Sequence, residues 1–357
     1  MYFLKITIII LILLFIILSI SNIYSKKKLS INQPIKFYKP KNKNNKLLQE
    51  LLDNNNIKYN KNWNLYIPGT YTNVEQELNN LIITDKNQII FGIRGCDKFV
   101  SKNGLWFYFD KCLGRNTSNQ FLPETYLLKK DIALFKNNYE KNCLYLLKKN
   151  IQQKKGIKIT KNLNEILNAS KDYVVVQKYI PNLYLLKNRK INLRMYLLII
   201  CEKDNQSWYL NKLGKCIYTN KDYNPLSNNL EVHLTSLNLN KNIYNKLPLS
   251  LEDLKHYIGK PTYKLLFKKI VNLIKTVKLV FTPTICKKCK NNTYFQVFGL
   301  DIVFTKDYYP YLLEINKGPQ MRYVNDLDKK IKYKVLSDAF SLVNLIKSAG
   351  KNSYIKI

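Results

Sequence analysis

The stretch FGLDIVFTKDYYPYLLEIN, residues 298–316, decides how the rest of the chain is interpreted. Two apolar runs flank the polar turn TKDYYP, which predicts a pair of antiparallel strands. Side chains alternate along a strand, so Glu314 and Asn316 should lie on one face and Leu313 and Ile315 on the other. Two polar side chains on one face of an otherwise apolar strand require an explanation.

Asp301 lies on the partner strand, also among apolar residues. One interpretation is that Asp301 and Glu314 are exposed on a solvated face of the sheet. The other is a magnesium site, in which the two carboxylates and the Asn316 carbonyl supply oxygen ligands, and phosphate oxygens and water complete the shell. Carboxylates among Leu, Ile, Phe and Val need a cation to make their burial tolerable, which favours the metal site.

The composition indicates a folded and strongly basic protein. The 357 residues, 46% of them hydrophobic, are enough for about two or three packed subdomains. The formal charge of +35 predicts attraction to nucleic acid, acidic lipid or acidic protein segments. Lys supplies most of the charge, and Asn, Ile and Tyr are abundant, as an AT-rich genome would dictate. Nucleic acid is disfavoured as a partner, because the lysines are dispersed and the aromatics lie in strand-like runs.

The first residues predict a membrane anchor. Residues 6–20, ITIIILILLFIILSI, carry no charge, and a helix continued to residue 23 would span about 27 Å. A cleaved signal peptide is the alternative, although SISNIYSKKK has no clear small-x-small cleavage site. Lysines from 26 onward outweigh Lys5, so the positive-inside rule predicts a single-pass membrane protein whose body faces the cytoplasm.

The pattern along the chain predicts an α/β or α+β fold, because strand-like runs alternate with helical ones. Strands are predicted from LIITD (81–85) to YYPYLLEIN (308–316), including LWFYF (105–109). Helices are predicted near 124–138, 161–170, 250–279 and 326–348. The predicted divisions are an anchor or signal at 1–24, a Lys/Asn-rich linker at 25–62, an amino-terminal α/β domain at 63–140, and central and carboxy-terminal domains at 141–350.

The cysteines do not suggest a disulfide framework. They are odd in number, at positions 96, 112, 143, 201, 216, 286 and 289, which favours a reducing compartment. Cys286 and Cys289 form one C-x-x-C, which could be half of a zinc site or a redox pair. No second pair with suitable spacing follows, so we predict a solvent-facing hairpin with two uninvolved thiols.

A second polar strand face follows from RKINLRMY, residues 189–196. Lys190, Asn192 and Arg194 occupy alternate positions and should share one face. Two cations on one face suit a triphosphate, although an exposed edge strand would alternate in the same way. Arginines are few in this chain, and their planar fork of donors makes Arg194 a candidate for binding phosphate or carboxylate.

The 298–316 hairpin resembles the metal-binding strands of the tubulin-tyrosine ligase family, a branch of the ATP-grasp enzymes, in which an Asp on one strand and a Glu-x-Asn on the next bind the magnesium ions of ATP. Further segments resemble successive family blocks in the same order, between about residues 89 and 325. They are RGCDKFVSK (94–102), FLPETYLL (121–128), YLLKKNIQQKKGIKI (145–159), VVQKYIPNLYLLKNRKINLRMYLLI (175–199) and HLT (233–235). The resemblance implies an ATP-grasp fold that uses ATP and Mg²⁺.

The resemblance also implies a role for each matching residue. The metal ligands would be Asp301, Glu314 and Asn316. The nucleotide would be bound by Lys102, Lys148, Gln177, Lys178, Tyr179, Ile180, Lys190 and Arg194, with adenine held by the main chain of 177–180. The residues at the reacting phosphate would be Lys190, Arg194, His233 and Thr235, and QKKGI at 153–157 would be a flap over the nucleotide. Without the resemblance, a lone His is more often structural, the flap could be a charged turn, and Lys102 could be a surface residue.

Three departures from the family pattern concern the substrate. Asn192 stands where the family usually has Asp, Ser236 follows HLT in place of Asn, and the arginine expected after SWYLNKLGK is replaced near Cys216 or Ile217. These positions fall where the incoming amino acid or the acceptor would be held. They bear on substrate choice and on whether activity is retained, more than on ATP binding.

The function implied by the resemblance is an ATP-dependent carboxylate-amine ligase. A peptide carboxylate would attack the γ-phosphate to give an acylphosphate, and a free amino acid would then displace phosphate to form an amide bond. The acceptor in this family is commonly a glutamate-rich tubulin carboxy-terminal tail, which a basic surface would attract. The alternative is a catalytically degenerate ligase-like module that binds acidic protein tails.

Overall fold

The computed structural model describes residues 35–39, 45–69, 74–151, 156–203, 205–235, 237–286, 289 and 291–357. Helices and strands are mixed along this part of the chain, which confirms the predicted α/β class. Within it, the strands form a ten-stranded sheet and a four-stranded sheet.

The elements of the described residues are as follows. The strands are β1 Lys36–Tyr38, β2 Lys58–Tyr59, β3 Leu65–Tyr66, β4 Ile89–Ile90, β5 Thr125–Leu127, β6 Tyr145–Lys148, β7 Ile157–Thr160, β8 Val175–Lys178, β9 Leu185–Leu186, β10 Arg189–Glu202, β11 Asn205–Tyr218, β12 Thr293–Phe304, β13 Pro310–Asn316 and β14 Tyr354–Lys356. The helices are α1 Lys46–Asn54, α2 Val74–Asn79, α3 Asp97–Val100, α4 Lys102–Leu113, α5 Arg115–Ser118, α6 Ile132–Asn137, α7 Leu163–Leu167, α8 Leu230–His233, α9 Leu251–Ile258, α10 Lys260–Phe281 and α11 Asp326–Leu342. Short 3₁₀ helices lie at Ala169–Lys171 and Lys241–Asn245.

The large sheet is built around three long antiparallel strands, β10, β11 and β12. Its order is β14-β11-β10-β12-β4-β3-β1-β2, with β13 paired to β12 and β9 to β10. Alternate residues of β10 from Ile191 to Cys201 pack into one core with α10, and Tyr196, Leu198 and Ile200 pack into a second core with α1 and α11. Helices cover both faces, which explains why β10 is continuously apolar from Met195 to Cys201.

The small sheet, in the order β5-β8-β6-β7, stands against one end of the large sheet. Tyr145 and Leu147 of β6 pack on its outer face with α6 and α7. Leu144 and Leu146 point the other way and share an apolar cluster with Val303 of β12. A cleft lined by both sheets follows from this arrangement.

The predicted helix at 250–279 is two helices, separated at Gly259. Ser250 and Asp253 form a capping box that starts α9. Gly259 has a φ of 87°, a conformation that glycine adopts without steric cost, and Pro261 follows in the first turn of α10. The long helix α10 then covers one face of β10 and β11.

The prediction of a strand at LWFYF is wrong, because these residues lie in α4. Ser101 begins the helix by accepting a hydrogen bond from the Gly104 amide at 3.2 Å. Leu105 and Phe109, four residues apart, are buried on one side of the helix. The aromatic run resembles a strand by residue type, but its buried positions have the spacing of a helix.

The structure also differs from the predicted linker at 25–62. Residues 36–38 and 58–59 are strands of the large sheet, and α1 lies between them. The four leucines of α1, Leu47, Leu48, Leu51 and Leu52, are buried against α11. Their spacing is that of an amphipathic helix. The predicted boundary between domains at 63–140 and 141–350 stays a prediction.

The predicted localisation as a single-pass membrane protein with a cytoplasmic catalytic domain is corrected. Within the residues that the structure describes, none of the helices combines the length and the apolar character needed to cross a bilayer. The predicted anchor or signal at 1–24 lies outside these residues. The predicted membrane contact is therefore not retained.

The prediction of two uninvolved, solvent-facing thiols is wrong as well. Cys286 and Cys289 are both buried, and Cys286 forms a disulfide with Cys201 across 85 residues, with their Cα atoms 5.6 Å apart. Cys201 lies near the end of β10, and Cys286 lies in the segment that joins α10 to β12. Spacing in the sequence could not show this pair, because the sheet brings the two segments together.

Candidate nucleotide and metal site

Most of the predicted site residues line one cavity between the two sheets. These are Lys148, Gln177, Lys178, Tyr179, Ile180, Lys190, His233, Thr235, Asp301 and Glu314. They come from β6, β8, β10, β12, β13 and α8 and from the segments that follow β8 and α8. Asn316, Arg194 and Lys102 lie at its margins, as described below. Residues distant in the sequence therefore meet in one place.

A β-bulge shapes the metal-site hairpin. Asp301 lies opposite Glu314 and Gly299 opposite Asn316, but Ile302 pairs with Leu312. The extra residue in β13 is Leu313, so Leu313 and Glu314 both line the cavity. The prediction that Leu313 points away from Glu314 is wrong, because the bulge interrupts the regular alternation.

A buried carboxyl group, Asp301, and a half-buried one, Glu314, lie side by side in this hairpin. Burial raises the pKa of Asp301 to about 6, with the neighbouring Glu314 carboxylate adding to the rise and Arg194 opposing it. Burial also opposes ionisation of Glu314, but hydrogen bonding with Asp301 and the charges of Lys102 and Lys148 lower its pKa to about 2. Two carboxyl groups this close to each other favour a bound cation.

Asn316 completes the oxygen-rich corner. Its Nδ2 donates to Glu314 Oε1 at 3.3 Å, so its amide lies beside the carboxylates. Two carboxylates and an amide form the donor set that Mg²⁺ prefers over softer metals. The residues present therefore fit a magnesium site.

Arg194 makes a different contact from the one expected. It lies opposite Asp301 across β10 and β12, and its Nε and Nη2 donate to the two Asp301 oxygens at 2.5 and 3.0 Å. The guanidinium lies over Gly299, where an added Cβ would be 3.3 Å from Arg194 Cδ and 2.9 Å from Pro319 Cβ. In this structure Arg194 holds a metal-site carboxylate, and its predicted contact with phosphate stays a prediction.

Two buried lysines supply positive charge to the cavity. Lys148 donates to Gln177 Oε1, and Gln177 is held in turn by its bond to Thr125 Oγ1 at 2.8 Å. Burial lowers the pKa of Lys148 to about 8, with Glu314 opposing the shift. Lys190 Nζ donates to the His233 carbonyl at 3.1 Å. Ammonium groups buried in a cavity suit an anionic ligand.

His233 has a positioning role. Its Nε2 is 2.6 Å from Ser227 O, so Nε2 carries the proton and Nδ1 accepts from the Tyr179 hydroxyl at 3.2 Å. Burial lowers the pKa of His233, and the nearby Lys190 ammonium lowers it further. A neutral His233 thus fixes the Tyr179 ring, which lies 4.9 Å from Lys190 Nζ. Thr235 is buried beside it in an isolated bridge with Thr219.

The cavity also has apolar lining. These residues are Pro123, Leu146, Ile157, Ile180, Leu183 and Leu313. The amides of Lys178 and Tyr179 donate to the carbonyls of Glu124 and Leu144, each at 2.8 Å, so these two N–H groups belong to the sheet. The Lys178 side chain pairs with Glu140. Main-chain contact with a base would therefore fall to carbonyl groups and to the amide of Ile180.

Lys102 lies at the edge of the site, as the first residue of α4. Its Nζ donates to the carbonyl of Ile151 at 3.0 Å, and its amide donates to Asn150 Oδ1 at 3.1 Å. It lines a small adjoining pocket together with Lys148 and Gln177. The predicted flap begins here, but its residues 153–155 lie outside the described part of the chain.

The three departures have different surroundings. Asn192 lines the cavity, and its buried Oδ1 accepts no hydrogen bond from the residues that the structure describes, so a ligand donor would satisfy it. Cys216 packs into the core, where its Sγ contacts the Ser250 carbonyl at 3.6 Å. Ile217 is also buried, and Ser236 lies outside the described residues.

Several supporting residues were not identified from the sequence. Thr125 holds Gln177, the Ser227 carbonyl sets the His233 tautomer, and Tyr223 lies against the Tyr179 ring with centroids 6.2 Å apart. Of these residues, only Thr125 could have been suspected from the sequence, because it lies inside FLPETYLL. The other contacts arise from loops that fold back on the cavity.

Comparison with known proteins agrees with this geometry. A model of the tubulin-tyrosine ligase family matches residues 83–352. A probable beta-tubulin polyglutamylase of Tetrahymena thermophila is 30% identical over 263 residues, which are 63% of this chain and 21% of that protein. Tubulin glycylase 3D of the same organism is 28% identical over 250 residues, 63% of this chain and 23% of that protein. Tubulin polyglutamylase TTLL5 of Mus musculus is 28% identical over 251 residues, which are 63% of this chain and 18% of that protein. The chain spans about a fifth of the length of these relatives.

Proposed function

The chain belongs to the tubulin-tyrosine ligase family, and from that premise we propose that it is an ATP-dependent ligase that joins an amino acid to a protein carboxylate through an acylphosphate. The proposed acceptor is an acidic protein segment such as a glutamate-rich tubulin tail, since relatives are named tubulin polyglutamylases and glycylases. The proposed fold is ATP-grasp, which two sheets enclosing one cavity support.

The observation that carries this proposal is the combination of chemistry in one cavity. The cavity is lined by apolar side chains, by the buried ammonium groups of Lys148 and Lys190, and by the carboxylates of Asp301 and Glu314. A flat base, a chain of phosphates and a divalent cation together need these three kinds of lining. Charges buried in the same cavity favour a charged ligand over an apolar one.

Each residue has a role in this proposal. Asp301, Glu314 and Asn316 would hold Mg²⁺, which when bound neutralises charge on the phosphates. Lys148 and Lys190 would bind phosphate oxygens, and their contacts with Gln177 and the His233 carbonyl hold the two ammonium groups in place before a ligand binds. The substrate carboxylate would itself be the nucleophile, so the chain need not supply one.

A direct test is ADP release by the purified full chain, supplied with magnesium ATP, a mixture of amino acids and a glutamate-rich peptide. We expect release that requires the peptide, with Glu314→Gln lowering it by at least about 100-fold. The matched control is Glu252→Gln on α9, because Glu252 is an exposed carboxylate far from the cavity that pairs with Lys255. Mass spectrometry of the peptide identifies the added amino acid. Unchanged release in Glu314→Gln would refute the proposal.

The second candidate is a degenerate module that binds acidic tails without turnover. It draws support from the Arg194–Asp301 pair, which occupies both oxygens of one proposed metal ligand. Under this candidate the glutamate-rich peptide binds, and no ADP is released with any amino acid.

A further inference from the structure

Lys317 directly follows the metal-site residue Asn316, and its side chain points away from the cavity. Only 5% of this side chain is exposed, and its ammonium donates to Asp97 Oδ1, in α3. A buried ammonium without a partner would be costly, so this contact fixes where Lys317 can lie. It joins the end of β13 to a segment 220 residues earlier.

Gln296 makes a second connection between the same two segments. It is fully buried on β12, and its amide uses both ends. Nε2 donates to the Lys317 carbonyl at 2.6 Å, and Oε1 accepts from the Ile93 amide at 2.9 Å. The backbone at the end of β13 is therefore tied to the backbone that leads into α3.

Glu75 of α2 holds the same segment from the other side. Its carboxylate accepts from the amides of Gly95 and Asp97 at 2.9 and 3.3 Å. The ligand atoms of Glu75, Cys96 and Asp97 lie within 4.8 Å of one another, a spacing that a metal ion could use. The Lys317 ammonium supplies the positive charge there, so the cluster accommodates a lysine.

The segment held in this way leads directly to Lys102. From Asp97 the chain passes through α3 to Ser101, which caps α4, and then to Lys102 at the edge of the nucleotide site. Lys102 is close enough to Lys148 and Glu314 to interact with both charges. The ammonium groups of Lys102 and Lys148 repel each other, so Lys102 needs a restraint to stay near them.

We propose that Glu75, Asp97, Gln296 and Lys317 form a clamp that sets Lys102 and Asn316 in their relative positions, with Lys317 as the positioning residue. This role rests on the proposed function, because it concerns the same nucleotide and metal site. None of these four residues lines the cavity, so the clamp would act without touching the nucleotide or the metal ion. It couples the segment 93–102 to the metal-site strand before any nucleotide binds.

The test begins without nucleotide. We expect Asp97→Asn and Lys317→Met to raise amide hydrogen exchange about tenfold in both 93–102 and 312–325, because each segment loses its tie to the other. The double variant Asp97→Lys with Lys317→Asp restores an ion pair and should return most of the protection. The matched control is the Glu50–Lys329 pair, 2.9 Å long, which joins α1 to α11. Lys329→Met should leave exchange in both segments unchanged.

The second measurement is calorimetric binding of magnesium ATP by the full chain. We expect about tenfold weaker binding in Asp97→Asn and Lys317→Met, recovery in the double variant and no change in Lys329→Met. If wild-type protein does not bind magnesium ATP, the proposed function fails and the positioning role fails with it. If wild type binds and the clamp variants match Lys329→Met in exchange or in affinity, the clamp alone is refuted.

Discussion

Two clusters of buried lysines in this molecule use the same side chain in opposite ways. Lys215 and Lys332 both contact Asp328 Oδ2, at 2.7 and 3.1 Å, beneath α11. Lys148 and Lys190, in the cavity, donate instead to a side-chain amide and a backbone carbonyl. The first cluster has its own carboxylate at the centre, whereas Lys148 in the second meets a neutral oxygen in a cavity that can admit an anion. Burial of a lysine therefore does not by itself indicate a binding site. The group that the ammonium contacts distinguishes a structural lysine from a candidate ligand-binding one.

Removal of the central carboxylate of the first cluster should have the largest effect on stability. Asp328→Asn would leave two buried ammonium groups facing a neutral amide, and we expect the free energy of unfolding to fall by about 3–5 kcal/mol. Denaturant unfolding measures it. Asp326→Asn, an exposed carboxylate in the first turn of the same helix, should cost less than about 1 kcal/mol. Equal losses in the two variants would contradict a structural role for Asp328.

The corresponding change in the cavity should affect binding more than stability. Lys148→Met removes a buried charge that has no direct carboxylate contact among the described residues, so the free energy of unfolding should change by less than about 1 kcal/mol. The dissociation constant for magnesium ATP should rise about 100-fold, because a phosphate loses its charged donor. Lys149→Met, at the next position and paired with Asp172 at 3.5 Å, is the control. Strong destabilisation by Lys148→Met would make the two clusters equivalent.

Stability and nucleotide affinity should depend on pH in opposite directions through Lys148. The pKa of Lys148 is about 8, below its ordinary value of 10.5, so this group loses its proton in the folded protein before it does so in the unfolded chain. The unfolded chain binds more protons between these values, and stability from this group rises with pH in that window. Nucleotide affinity should move the other way, falling by about tenfold from pH 7.5 to 9.5 as the charge is lost.

Calorimetric titrations at several pH values check this dependence. Lys148→Met should remove most of it. Burial also lowers the pKa of Lys332 to about 8, with Asp328 opposing the shift, but Lys332 lies outside the cavity. Lys332→Met should therefore leave the pH dependence of nucleotide affinity intact. The same loss in both variants would show that the dependence does not come from Lys148.

Much of the site followed from short patterns. The alternation in RKINLRMY placed Lys190 and Asn192 on one face, and the hairpin placed Asp301 on the strand that pairs with the Glu314 strand. Strands β10 to β13 were also predicted, because long antiparallel strands leave a clear apolar pattern. These features depend on neighbours in the sequence or across a single turn.

What could not be predicted depends on distant contacts. The bulge at Leu313 arises from how β13 fits β12, and the Asp97–Lys317 pair joins segments that only the completed fold brings together. The Arg194–Asp301 pair could have been suspected from two charged residues on neighbouring strands, but the pairing register had to be known first. Helix α4 was mistaken for a strand because aromatic residue types outweighed the spacing of its buried positions.

The extra residue in β13 restricts where this hairpin can accept insertions and deletions during evolution. Residues on the two sides of Leu313 are out of phase, so Leu312 and Ile315 face the apolar core while Glu314 faces the cavity. Adding or deleting one residue between Leu312 and Ile315 would turn the Glu314 carboxylate toward the apolar core and the Ile315 side chain toward the cavity. We therefore expect length variation to be tolerated at the 305–309 bend, where the ladder ends, and to disrupt the proposed metal site when it falls between Leu312 and Ile315.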